Sequence, residues 1–94
     1  MAQQYTLGKT STTVATNEGI TRITYHRTVV VAFDGNKITL DSGGWYTNTT
    51  KTRMNQASNQ FELGFSVYQK DHIWFVKRPD GETVQFVDGM SFAA

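Results

Sequence analysis

Residues 42–56, SGGWYTNTTKTRMNQ, concentrate groups that recognise a phosphate or a nucleic-acid base. Trp45 and Tyr46 offer flat faces for stacking, and Thr47, Thr49 and Thr50 offer hydroxyl donors. Lys51 and Arg53 add positive charge, Asn55 adds an amide, and no acid stands between Asp41 and Glu62. The same stretch crosses a helix start. Gly43-Gly44 break the preceding strand, and Thr47 or Asn48 suits an N-cap for a helix over about residues 49–61. A helix N terminus presents free N–H groups and about half a positive charge, both favourable to phosphate or carboxylate. Trp45, Tyr46, Thr47, Thr49, Thr50, Lys51, Arg53 and Asn55 are therefore the candidate ligand-binding residues. They also have a purely structural use, in which threonine caps the helix, Trp45 packs on a sheet edge, and Lys51 and Arg53 are solvated.

A second candidate is RITYHR, where Arg22, His26 and Arg27 alternate with Thr24 and Tyr25. Basic residues beside an aromatic on a sheet can hold a single strand. Equally, a Thr/Arg-rich strand is a common solvated sheet face, and its charges keep an edge soluble. Catalysis has less to draw on. His26 and His72 are the two histidines, and neither is patterned with a carboxylate or nucleophile that would make it a general base. Two unclustered histidines without cysteine do not make a metal site. TTKT beside glycines invites a phosphate-loop reading, but that loop requires Gly directly before its Lys, and Thr50 stands there. We expect a non-enzymatic protein with no metal and no cofactor.

These residues need elements to position them. ITRITYHRTVVVAF alternates, with Ile23, Tyr25, Val29, Val31 and Phe33 on one side and mainly polar residues on the other, as in a strand covered on one face. Asp34-Gly35-Asn36 suits a tight turn, and KITLD returns as the second arm of a hairpin. KTSTTVAT, residues 9–16, reads as a short edge strand, and residues 1–9 as a frayed segment. Within the helix, Met54, Ala57 and Phe61 make a narrow apolar stripe, leaving Lys51, Asn55, Gln56, Asn59 and Gln60 towards water. Gly64 ends it. Strands then follow at 65–68, IWFVK and TVQFV, with turns at QKDH, Pro79-Asp80-Gly81 and Asp88-Gly89. IWFVK is apolar on both faces and so belongs centrally. The expected fold is α+β: β-hairpin, helix, β-meander, with one helix on an antiparallel sheet of about five strands.

Composition narrows the setting. A chain of 94 residues makes a single small domain with a modest core. Fourteen threonines favour strands. Absence of cysteine removes disulfides and thiolate chemistry, and points to an intracellular protein. No leader-like or membrane-spanning apolar run is visible, the longest being Val29 to Phe33. A net charge of +1 is too small for bulk DNA coating and leaves room for a local site. Small size and open strand edges lead us to expect a homodimer.

GGWYTNTTKTRMNQ, LGFSVYQK and WFV together resemble a pattern in small bacteriophage proteins, covering residues from about Thr28 to Phe92. That resemblance implies a phage product acting in the host cytoplasm. It also implies host-takeover or anti-defence factors as models, which bind a host protein or sequester a nucleotide signal. The expected function is a binding module that contacts nucleic acid or a phosphate-bearing nucleotide ligand through residues 42–56. The alternative is an anti-CRISPR-like inhibitor docking on a host defence protein through the helix and hairpin.

Overall fold

The computed structural model describes residues 12–44 and 46–94. The expected frayed segment at 1–9, the start of the first strand at Lys9, and Trp45 lie outside the described residues. The elements run β1 (Thr12–Asn17), β2 (Ile20–Tyr25), β3 (Thr28–Phe33), β4 (Lys37–Leu40), α1 (Asn48–Gln60), β5 (Ser66–Lys70), β6 (Ile73–Lys77), β7 (Thr83–Gln85) and β8 (Met90–Ala93). An antiparallel five-stranded sheet has the order β1-β2-β3-β4-β8, and a smaller sheet has the order β5-β6-β7. The fold is α+β, with one helix against the five-stranded sheet. The strands after the helix make the small sheet, and only β8 returns to the large one.

The long alternating segment is two strands, not one. Tyr25 pairs with Thr28, so His26-Arg27 form a two-residue turn, with His26 at φ 58°. Two one-residue shifts conceal it. The turn moves the inward set from odd to even positions. A bulge, with Ile23 opposite Val31 and Thr24 opposite Val29, then moves it back and leaves Val30 unpaired. Both Val30 and Val31 are consequently fully buried, because the two residues of a bulge can share a face, while Val29 turns outward. β2 is thus interior to the sheet, and RITYHR, whose charges also suited an edge, instead runs from an inner strand into a hairpin turn. The outer strands are β1 and β8. Asp34 closes the next hairpin by accepting from the Asn36 and Lys37 N–H groups at 2.7 and 2.9 Å, bonds that hold its carboxyl below the ordinary range.

The core lies between the large sheet, α1 and the inner face of the small sheet. Ile23, Val31, Ile38 and Leu40 supply it from the large sheet, Val67, Trp74 and Val76 from the small one, and Phe86 from just after β7. Helix α1 buries Thr50, Met54, Ala57 and Ser58. Phe61 half-covers the same side, its ring 5.1 Å from Phe33. Met54 is fully buried, and a side chain without branching fills its irregular site easily. Met54→Leu conserves volume and should cost less than about 1.5 kcal/mol. A fall in melting temperature beyond about 12 °C would show that the site is shaped for the thioether chain.

Candidate functional site

Building from the backbone, residues 41–44 fold because side chains close their polar groups. Asp41 Oδ1 accepts from the Gly43 N–H at 2.7 Å, and Ser42 Oγ accepts from the Gly44 N–H at 3.1 Å. Ser42 is buried and donates through its N–H and its hydroxyl to Asp88 Oδ1, at 2.8 and 2.6 Å. Gly43 has φ +64°, and a Cβ there would run into the Thr28 side chain, so both backbone freedom and close approach call for glycine. The amides of this loop are spent internally and do not form an anion cradle.

Thr47 caps α1, accepting from the Thr50 N–H at 3.2 Å. The Thr47 and Thr50 hydroxyls lie 3.1 Å apart, and Thr50 is buried, so both serve the helix start rather than a ligand. Asn48 and Thr49, in the first turn, are exposed.

The rings beside the cap come from a distant part of the chain. Tyr46 is half-exposed and packs edge-on against Trp74 at 4.8 Å and Phe86 at 5.8 Å. Its hydroxyl donates to Asp88 Oδ2 at 3.3 Å. Burial of part of the ring, and then the negative Asp88 beside it, push the Tyr46 phenol above its ordinary range, so it stays a donor at neutral pH. Lys51 Nζ lies 5.4 Å from the Trp74 ring centroid and donates to Gln69 Oε1 at 2.9 Å. A cation held over an aromatic face is fixed without a carboxylate to cancel its charge.

Arg53 does not join Lys51. Two positions apart on a helix, their side chains diverge by more than half a turn. Arg53 Nε donates to Thr12 Oγ1 at 3.0 Å and Nη1 to Gln56 Oε1 at 3.3 Å, with the guanidinium 5.5 Å from the Tyr25 ring. Nor is Asn55 turned to water. Its amide donates to the Val67 carbonyl at 2.9 Å and accepts from the Val67 N–H at 2.8 Å. From the second candidate set, His26 lies against Tyr25 with centroids 4.3 Å apart, so Arg53 belongs with this group. Arg22 is exposed in mid-strand and Arg27 in the turn. His72 shares the β5–β6 turn with Asp71, both at positive φ.

The structure thus gathers Tyr46 and Lys51 around Trp74, with Thr49 exposed in the first turn of α1. Trp74, Phe86, Gln69 and Asp88 were missing from the sequence-derived set, and only aromatic content in IWFVK and TVQFV signalled any of them. Among the described residues, no three of His, Asp and Glu come together to hold a metal ion, and no helix is long and apolar enough to cross a membrane.

The family model described as Kyanoviridae Gp96 protein matches residues 1–93, including the N-terminal segment that the motif resemblance left out. No curated protein and no solved structure matches the chain.

Proposed function

The chain belongs to the Kyanoviridae Gp96 family of phage proteins, and we propose that it is a non-enzymatic module that binds a phosphate-bearing ligand, a nucleotide or a nucleic-acid end, at Tyr46, Thr49 and Lys51. The observation that carries this reading is Lys51 held over Trp74 beside the half-exposed Tyr46 ring. The cation and the outward-facing first turn of α1 attract a phosphate, and Tyr46 supplies a face for the attached base. Arg53, committed to Thr12 and Gln56, takes no part.

Titration of the protein with a nucleoside triphosphate and with a short single-stranded oligonucleotide, followed by tryptophan fluorescence, tests the reading. Lys51→Ala should weaken binding and flatten the salt dependence by about one charge. Tyr46→Ser should cost about 1 to 3 kcal/mol of affinity with the salt slope unchanged. Arg53→Ala should leave both unaltered. Equal losses from Lys51→Ala and Arg53→Ala would mean general charge attraction and no site. Retention of a host protein, with no affinity for either probe, would replace the reading with docking on a defence protein.

A further inference from the structure

The outer face of the small sheet is a second, separate surface. β6 is central in that sheet and apolar on both sides, but only the side carrying Trp74 and Val76 is buried. On the other side Ile73 is 42% and Tyr68 40% exposed. Tyr68 and Phe75 pair directly across β5 and β6, their rings 5.7 Å apart and within 26° of parallel. Alternation along the strands puts Ser66 and Lys70 of β5, Lys77 of β6, and Thr83 and Gln85 of β7 on this same face. None of these is acidic. Acids occur at the border, where Glu62 shares a groove with Ser66 and Lys77, and Asp71 occupies the turn after Lys70.

We propose that this face is a stacking platform for single-stranded nucleic acid. Two near-parallel rings begin a stack that an unpaired base continues, and no duplex base can reach them without leaving its helix. Lys70 pairs with Ile73, so Lys70 and Lys77 flank the rings from opposite ends, four residues or roughly 13 Å apart along the strands. Ammonium, ring, ring, ammonium is the order that phosphates and splayed bases of a short strand require. A second copy of the chain fits less well. Two-fold pairing of this face with itself would bring four ammonium groups together with no carboxylate on the face to meet them.

The platform faces away from Trp74 and Lys51, so the two surfaces are tested separately. Fluorescence anisotropy with labelled oligothymidine, oligouridine and a duplex is the measurement, with circular dichroism melts on every variant. Wild type should bind either single strand more tightly than the duplex. Tyr68→Ser should weaken binding about 5- to 150-fold with an unchanged salt slope. Lys70→Ala with Lys77→Ala should lower the slope by about 0.7 for each lost contact. All three side chains are exposed, so these variants should melt as the parent does. Arg53→Ala, on neither surface, should keep single-strand binding. Binding that follows Lys51 and Tyr46 but ignores Tyr68 overturns the platform and leaves the first site standing. Failure of wild type to bind any single strand overturns it as well, as does equal affinity for the duplex.

Discussion

Ser58→Ala is expected to destabilise the fold by about 2 to 6 kcal/mol, the cost of leaving two buried backbone groups unpaired at about 1 to 3 kcal/mol each. Ser58 is buried in α1. Its hydroxyl donates to the Phe65 carbonyl at 2.6 Å and accepts from the Phe65 N–H at 3.0 Å. Three residues earlier, Asn55 makes the same pair of bonds with Val67. Residues three apart on a helix therefore serve Val67 on β5 and Phe65 just before it. β5 is one of the two outer strands of the small sheet, and along this edge helix side chains replace a neighbouring strand. Such an edge otherwise presents open N–H and C=O groups to other chains. Against a total stability of about 5 to 15 kcal/mol, Asn55→Leu combined with Ser58→Ala should leave little folded protein. Urea unfolding of the single variant measures the effect, with hydrogen exchange at Phe65 as its local reading. A parental midpoint with a still-protected Phe65 amide would show that these bonds are not what covers the edge.

Much of this arrangement was legible in the sequence, and the failures are instructive. The helix, its Thr47 cap and its buried Met54 and Ala57 follow from local patterning, because caps and apolar stripes depend on near neighbours. The alternation from Ile23 to Phe33 misled because a two-residue turn and a bulge each shift the inward set by one, and the shifts cancel. A strand read by period alone cannot register that cancellation. Asn55 looked solvent-facing because its type is polar, yet it borders a sheet edge that needs a polar partner. For the site, Lys51 and Tyr46 were visible as types, but their partners were not. Trp74 lies 23 residues beyond Lys51 in the chain, and it is tertiary packing that joins them. The helix period separated Lys51 from Arg53, and that much was available from spacing alone.

Asp88 brings the distant part of the chain to the loop, and two replacements should separate its structural and electrostatic roles. Asp88→Ala removes the acceptor for both donors of the buried Ser42 and for the Tyr46 hydroxyl. Asp88 is itself exposed, so water can refill part of the gap, and a loss of about 2 to 4 kcal/mol is expected. Tyr46 should then leave Trp74, which tryptophan fluorescence would register. Asp88→Asn keeps an oxygen where Ser42 donates and should cost less than the alanine variant. It removes the negative charge bonded to Tyr46, and a phosphate at Lys51 would no longer meet that repulsion. Affinity for a nucleoside triphosphate should therefore rise in Asp88→Asn, most at low salt where screening is weakest. Asp88→Ala should lower it despite losing the same charge, because the ring that receives the base is no longer held. If both variants instead raise affinity alike, the loop contributes only its charge, and the placement of Tyr46 has no part in binding.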